Sequence, residues 1–219
     1  KKFRLQFPTV CRFSFPCYYG LSNSNSKIEP DEYQTFIGRS RLEALEVETS
    51  RLQEYNFDTS KISNLWLVNE GVIDNDLLRK QLEILLAEYS VEVLLGRQVT
   101  NIDQYHNLWK INSEKGSRFF DFVIKATYGV DNIDYHRADS QESSSHFQAT
   151  LVLDAELDID TVGITIMDGD FITVLPKGFS GRFLIYAPVP SVIGASDKLE
   201  DVQEIVIDDN RIRESISAL

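Results

Sequence analysis

The stretch from Phe119 to Asn132, FFDFVIKATYGVDN, constrains the fold of this chain most. Its bulky residues predict a buried strand over Phe119 to Ala126, and the small residues that follow predict a turn at 126 to 129. Small residues let the backbone approach a ligand closely, and α/β folds bind ligands at strand ends. The stretch therefore predicts a strand that leads into a ligand-binding turn. The residues expected to be buried are Phe120, Phe122, Val123 and Ile124.

The residues between Gly71 and Ile111 predict a helix followed by several strands. Asp74 is placed to cap the helix, which should end near Glu88 to Ser90. The helical spacing is carried by Leu77, Leu78, Leu82, Leu85 and Leu86. Alternating apolar residues then predict strands at 91–95, 99–102 and 108–111. With the strand at 119–126, the block is a helix, a strand and a three-stranded meander.

The residues on the N-terminal side of this block are less regular. Bulky residues alternate from 5 to 21, which predicts one half-buried strand bounded by Pro8 and Pro16. A helix is expected to start at Glu29 and Pro30, with Tyr33, Phe36 and Ile37 on one face. Over residues 39–67 strand and helix remain competing interpretations, although Leu65 to Val68 indicates a short buried strand.

The residues on the C-terminal side predict an antiparallel sheet. Strands are expected at 151–153, 162–167, 171–175 and 183–187, with a hairpin turn at 168–170. A polar, exposed loop is expected at 134–146, and an acidic helix at 198–219. The chain as a whole is therefore predicted to be α+β, with a mostly antiparallel sheet.

The composition of the chain disfavours some classes of binding partner. The net charge of -12 disfavours nucleic acid and anionic membranes, because binding to phosphates depends mainly on Lys and Arg. No apolar run approaches the length of a membrane span, and the first residues lack the apolar core of a signal peptide. We therefore expect a cytoplasmic protein that binds neither nucleic acid nor an anionic membrane.

The residues that could carry other kinds of chemistry are sparse. Cys11 and Cys17 lie six apart in a stretch expected to be extended, about 20 Å between Cα atoms, so no disulfide is predicted. His106, His136 and His146 lie in turns and polar loops without a second ligand at metal spacing, so no metal site is predicted.

Three blocks of the sequence, in this order, resemble the superfamily of FAD-dependent oxidoreductases that includes D-amino acid oxidase and glycine oxidase. Residues 71–132 resemble the second half of the flavin-binding domain, through GVID, VEVLLGRQVTNI and FDFVIKATYGVDN. FPCYYGLSNSNSKIEPDEYQTFIG resembles the first strand, loop and helix of the substrate domain. TIMDGDFITVLPKGFSGRFLIYAPVPSVIGAS resembles its later hairpin.

The resemblance implies a set of cofactor and substrate residues. The backbone of Val99 would contact the adenine edge, although Val99 is equally compatible with a plain core strand. The motif Ala126-Thr127-Tyr128-Gly129 would lie against the adenosine and diphosphate, with an extra Tyr before the glycine compared with the family. Tyr18 and Tyr186 are the predicted substrate-binding residues; Tyr19 and Lys177 lie on the same segments.

The resemblance also implies a division of the chain and an activity. Residues 69–133 would be a segment of the FAD-binding domain, between two parts of the substrate domain at 1–68 and 134–219. The activity would be oxidation of an amine or amino-acid-like substrate by hydride transfer to FAD, with the catalytic residues unassigned. Because the family's GxGxxG loop is missing, we expect an internal fragment. The alternatives are a non-catalytic domain of the same scaffold that binds a small molecule or a protein, and an unrelated sheet-and-helix domain.

Overall fold

The structure is a computed structural model that describes residues 2–127, 134–135, 146–167 and 172–217. Tyr128, Gly129 and the expected turn at 168–170 lie outside the described residues, as does most of the expected loop at 134–146. The helices are α1 (Lys2–Gln6), α2 (Pro30–Ser40), α3 (Asn75–Glu88), α4 (Leu199–Gln203) and α5 (Asp209–Ser217), with 3-10 helices at Pro8–Val10, Thr49–Tyr55 and Thr59–Lys61.

The strands are β1 (Cys11–Arg12), β2 (Cys17–Ser22), β3 (Ala44–Val47), β4 (Ile62–Val68), β5 (Val72–Ile73), β6 (Val99–Tyr105), β7 (Leu108–Ser113), β8 (Gly116–Phe120), β9 (Asp134–Tyr135), β10 (Phe147–Thr150), β11 (Leu153–Ala155), β12 (Gly163–Met167), β13 (Thr173–Pro176), β14 (Phe183–Tyr186) and β15 (Val192–Ser196). The chain divides into two compact units. The large unit holds residues 1–83, 148–194 and 205–219, and the small unit holds residues 84–147 and 195–204.

The large unit is built on a seven-stranded sheet of order β11-β14-β13-β12-β2-β4-β3. Neighbouring strands are antiparallel except β12 and β2, which pair in parallel. The parallel pair joins strands that lie far apart in the sequence. The expectation of an α+β chain with a mostly antiparallel sheet is confirmed.

Successive residues of a strand point to opposite faces, so this sheet has two distinct sides. The core face carries Tyr18, Leu65, Ile164, Val174 and Phe183, which pack with Leu52 from the 3-10 segment Thr49–Tyr55. We call the opposite side the α2 face, because Leu21 and Trp66 pack there against Tyr33 and Ile37 of α2. Leu52 and Leu65 are fully buried, so the apolar centre of the large unit lies on the core face.

The start of α2 follows from its local sequence, as predicted. Glu29 and Glu32 form a reciprocal capping box, and Pro30 occupies the first turn, where its missing N–H costs nothing. Tyr33 and Ile37 are buried, while Phe36, which we expected on the same face, is 53% exposed. The helix is therefore confirmed, and its buried face is narrower than the spacing indicated.

The start of α3 is also confirmed. The Asp74 Oδ1 atom accepts a hydrogen bond of 2.9 Å from the Leu77 amide, which is the N-cap interaction expected. Its Oδ2 atom accepts a second bond, of 3.1 Å, from the amide of Phe179. Both bonds hold the pKa of Asp74 below its usual value, the Leu77 bond most. Asp74 thus joins the helix to a loop more than a hundred residues away in the sequence.

The small unit contains the predicted meander. Strands β6, β7 and β8 pair in antiparallel order, and β9 adds to β6 in parallel. The predicted strand over 91–95 is wrong, because residues 91–98 form no strand and Val93 and Leu95 are exposed. Alternating apolar residues form a strand only where another strand offers its backbone groups, and none of the described strands does so here.

The predicted buried strand at 119–126 is wrong for the same reason. β8 covers only Gly116–Phe120 and is exposed throughout, and residues 121–127 have no regular structure. Phe122 is 89% exposed and Ile124 is 91% exposed. The apolar composition was identified correctly, but only Val123 and Thr127 are half-buried among residues 121–127.

Other elements begin or end at residues different from those predicted, because of proline residues or of strand pairing. The half-buried strand expected between Pro8 and Pro16 is shorter than predicted: Pro8 starts a 3-10 helix, β1 covers only Cys11–Arg12, and a second strand, β2, begins after Pro16. Residues 39–67, left open by the sequence, contain two strands and two 3-10 helices. Leu151 and Val152 lie between β10 and β11 rather than in a strand, and the C-terminal helix is two helices, α4 and α5.

None of the described helices has both the length and the apolar composition needed to cross a bilayer.

Candidate functional site

Four hydroxyl side chains form a row across the α2 face of the large sheet. Tyr19 of β2 pairs with Thr165 of β12, Thr165 pairs with Thr173 of β13, and Thr173 pairs with Tyr186 of β14. Directly paired residues share a face, so all four side chains leave the sheet on the same side. Three strand spacings place the outer Cα atoms about 14 Å apart. We call these residues the hydroxyl row.

The register separates Tyr18 from Tyr186. Tyr18 points to the core face, is 7% exposed and packs in the main apolar cluster. Its ring lies 6.3 Å from that of Tyr55, centroid to centroid. The structure therefore groups Tyr19, and not Tyr18, with Tyr186. The role predicted for Tyr18 in substrate binding stays a prediction, and its position is inside the core.

Tyr19 is held by a carboxylate at the edge of the row. Its hydroxyl donates a hydrogen bond of 2.5 Å to the Glu70 Oε2 atom. Burial raises the pKa of Tyr19, and the Glu70 carboxylate raises it further, so the phenol keeps its proton at neutral pH. Since that proton is directed at Glu70, the Tyr19 oxygen is left as an acceptor for an N–H or O–H of a ligand.

The same carboxylate acts on the neighbouring thiol. Cys17 is 2% exposed, and burial together with the negative charge of Glu70 raises the pKa of its thiol to about 12. Only the thiolate is nucleophilic, so Cys17 is chemically inert at neutral pH. Cys11 is also a free thiol and is half-buried.

We expect this difference to appear in thiol labelling of the folded protein. A rise from the ordinary value of 9.0 to about 12 lowers the thiolate fraction of Cys17 about a thousandfold at pH 8. With a disulfide reagent at pH 8, Cys11 should react first and Cys17 only on the timescale of unfolding. Cys11→Ser and Cys17→Ser variants assign the two phases, and a fast phase that persists in Cys11→Ser would contradict the expectation.

A shallow groove of about 580 Å³ lies at the edge of the same sheet. Its walls come from the end of β4, the start of β3 and the residues that flank them, together with the residues before β2. The lining residues are Phe15, Pro16, Glu43, Ala44, Leu45, Leu67, Val68 and Asn69. The groove is mostly apolar, and Glu70 directly follows its last lining residue.

Lys177, a further candidate from the sequence, is engaged in an ion-pair network. Its Nζ atom lies 2.5 Å from the Asp154 Oδ2 atom. Arg182 binds the other oxygen of Asp154 at 2.6 Å and also contacts Glu156. The pKa of Asp154 is held below its usual value by its hydrogen bonds to Lys177 and Arg182. Lys177 therefore has a structural partner at the protein surface.

The predicted cofactor residues lie in the small unit. Val99 opens β6, is half-buried and pairs with Ser113. The register shifts between Val99 and Asn101, and the buried Asn101 Oδ1 atom has no hydrogen-bond partner among the described residues. Ala126 is exposed and Thr127 is half-buried, both in the irregular segment 121–127. Tyr128 and Gly129, the other two predicted residues, lie outside the described residues.

The fold of this chain is similar to the folds of two enzymes of known structure. The chain is similar to the crystal structure of L-proline dehydrogenase from P. horikoshii, with a TM-score of 0.68 and 12% sequence identity. It is likewise similar to glycine oxidase from Geobacillus kaustophilus, with a TM-score of 0.65 and 11% identity. The resemblance identified in the sequence is thereby confirmed at the level of the fold.

The two matches cover 99% of this chain but only 57% and 56% of the two enzymes. The chain thus spans just over half the length of each. No protein-family model matches the sequence, and no curated protein does. Identities this low relate the folds and carry no information on the substrate.

Proposed function

We propose that this chain forms part of an FAD-dependent oxidoreductase that oxidises an amine or amino-acid-like substrate. The observation that carries the proposal is the likeness of fold, over 99% of the chain, to a proline dehydrogenase and a glycine oxidase. The hydroxyl row supports it, because it offers oriented polar groups on one sheet face. The residues proposed to bind the substrate belong to the large unit, and those proposed to bind the cofactor belong to the small unit.

The hydroxyl row suits a substrate with an N–H donor. The Tyr19 oxygen accepts hydrogen bonds only, since its own proton goes to Glu70. A substrate amine would donate to it, with the nearby carboxylate favouring any positive charge that remains. At the other end, Tyr186 is half-buried, and no partner of its hydroxyl lies among the described residues. Its phenol is able to donate to an oxygen of the substrate.

The small unit fits one end of the cofactor. Asn101 presents a buried amide oxygen without a donor, two residues after Val99. The exocyclic amine of adenine is a donor, and a buried acceptor left unpaired costs about 1–3 kcal/mol, so adenine binding here would recover that cost. Val99, Asn101 and Thr127 are the described residues that would hold the adenosine.

The diphosphate end of the cofactor is not accommodated by the start of α3. Helix N-termini attract phosphates through their free amides. Here the Asp74 carboxylate already accepts the Leu77 amide and brings a negative charge to that end of the helix. We therefore assign no described helix start to the diphosphate.

Flavin, when bound, accepts a hydride from the substrate carbon, so the chemistry belongs to the cofactor. The residues of this chain would orient the substrate and shield it from water. Tyr19 would hold the amine by its oxygen, with Glu70 fixing the direction of the phenol. Tyr186 would hold a second polar group of the substrate.

The test is a titration with FAD of the purified full-length protein of which this chain forms part, followed by the visible absorption of flavin, and then anaerobic addition of amines and amino acids. We expect bound flavin whose bands bleach with at least one of these compounds. Tyr19→Phe and Tyr186→Phe should slow bleaching about tenfold or more by removing substrate hydrogen bonds, while leaving FAD binding unchanged. Tyr89→Phe, a phenol 78% exposed in the small unit, is the matched control.

Two outcomes contradict the proposal in different ways. A folded protein that takes up no flavin favours a non-catalytic binding domain on the same scaffold. Bound flavin that bleaches equally in Tyr19→Phe, Tyr186→Phe and Tyr89→Phe retains the oxidoreductase but removes the hydroxyl row from substrate binding.

A further inference from the structure

We propose that the groove at the edge of the large sheet is a binding site for a small organic ammonium ion. The proposal goes beyond the proposed function, because the groove and its charges belong to the large unit and need no flavin. It would hold an alkyl chain against its apolar walls and a protonated amine at its rim, which we define as the carboxylates of Glu43 and Glu70. Its lining includes Phe15, Pro16, Glu43, Val68 and Asn69, and Glu70 directly follows Asn69 in the chain.

The apolar part of the groove is formed where three segments meet. Phe15 and Pro16 precede β2, Val68 ends β4, and Ala44 starts β3. Val68 pairs with both Cys17 and Ala44, so the backbone fixes these walls relative to each other. A volume of about 580 Å³ is in the range of small-molecule sites and exceeds what a metal ion needs.

The polar part of the groove is negatively charged. Glu43 receives a hydrogen bond of 2.6 Å from the Asn69 side chain on its Oε2 atom. The Asn69 amide also donates to the Glu43 carbonyl, at 3.2 Å, which holds the two residues together. Glu70 follows Asn69 and receives the Tyr19 proton on its Oε2 atom. Each carboxylate therefore has one oxygen oriented by a neutral donor and one oxygen left for a ligand.

Among the described residues, no cation neutralises either carboxylate. In the described part of the chain, no Lys, Arg or His forms an ion pair with Glu43 or Glu70. The Arg12 guanidinium lies over the Phe15 ring and donates to Thr161 and the Gly178 carbonyl. An ammonium ion supplies both the missing charge and the missing donors.

The choice of an organic cation follows from the combination of the two parts. A hydrated metal ion would gain nothing from apolar walls, and a carboxylate ligand would be repelled by the rim. A neutral alcohol would fill the walls but pair weakly with the carboxylates. Butylammonium, butanol and butyrate share a four-carbon chain and differ in charge, so they isolate the contribution of the rim.

The experiment is a titration of the purified chain, without flavin, with butylammonium chloride followed by amide NMR. We expect saturable shifts at Phe15, Val68 and Asn69, with butanol at least about tenfold weaker and butyrate not binding. Glu43→Gln and Glu70→Gln should each weaken butylammonium binding several-fold, and the double variant about tenfold or more. Glu54→Gln, an exposed carboxylate outside the groove, should leave it unchanged.

Three results would overturn the proposal. The first is equal affinity for butanol and butylammonium, which would make the groove an apolar site only. The second is unchanged affinity in the double variant, whose amide spectrum also shows that it is folded. The third is saturable binding of calcium chloride at the same amides in place of butylammonium. Failure here would leave the flavin proposal standing, because that proposal is tested by flavin uptake and bleaching, whereas this titration contains no flavin.

Discussion

Replacing Trp66 by Ala should lower the free energy of unfolding by about 3–5 kcal/mol. Trp66 is 1% exposed on the α2 face and is the largest of the fully buried side chains. Its ring meets Tyr33 of α2 edge-on at 4.7 Å, and its Nε1 atom donates a hydrogen bond of 3.0 Å to the Gln34 side chain. Truncation leaves a cavity between α2 and the sheet and leaves Gln34 without its donor.

Equilibrium urea denaturation followed by far-UV circular dichroism measures this change. Trp66→Phe keeps most of the packing and loses the hydrogen bond, so we expect a smaller loss of about 1–2 kcal/mol. Phe36→Ala truncates an aromatic on the same helix that is 53% exposed, and it should cost less than about 1 kcal/mol. A Trp66→Ala loss no larger than that of Phe36→Ala would mean that α2 does not pack on the sheet.

Replacing Gly178 by Ala should lower the free energy of unfolding by about 2–4 kcal/mol, for two reasons that add. Gly178 has φ of +54°, where an L side chain costs about 1 kcal/mol. A Cβ there would also lie 2.7 Å from the Asp74 Cγ atom, inside contact distance. Relieving that overlap would displace the carboxylate that caps α3 and accepts the Phe179 amide.

The same loop offers a matched control. Gly181 also has a positive φ, of +77°, but a Cβ there meets nothing within 4 Å. Gly181→Ala should therefore cost only the backbone term of about 1 kcal/mol. In Asp74→Ala, where most of the obstructing side chain is gone, Gly178→Ala should cost less than in the natural protein. Equal losses for Gly178→Ala and Gly181→Ala would contradict the proposed overlap with Asp74.

Local sequence was sufficient where a structure is stabilised by its own neighbours in the chain. The start of α2 needs only Glu29, Pro30 and Glu32, and the cap of α3 needs only Asp74 and the amide of Leu77. The hairpin of β6 and β7 joins strands separated by a short turn. In each case the interacting groups lie within a few residues, so the pattern is complete in the sequence.

Sequence was insufficient wherever a partner from elsewhere in the chain decided the outcome. The apolar residues at 91–95 and 119–124 have the composition of strands, but a strand forms only against another strand. Strands β2 and β12 pair although some 140 residues separate them in the sequence, and this pairing places Tyr19 beside Thr165. The pairing of β12, β13 and β14 then places Tyr186 on the same face. No periodicity in either segment alone specifies that register.

The candidate site shows most clearly which features local sequence predicts and which depend on distant parts of the chain. The sequence by itself predicted that Tyr18, Tyr19 and Tyr186 lie on strands, because the alternation of bulky residues is a local property. Only the tertiary structure decided that Tyr19 shares a face with Tyr186 while Tyr18 lies in the core. The reason is physical: adjacent side chains of a strand point in opposite directions, and the faces are told apart only by what packs on each, here α2 on one and Leu52 on the other.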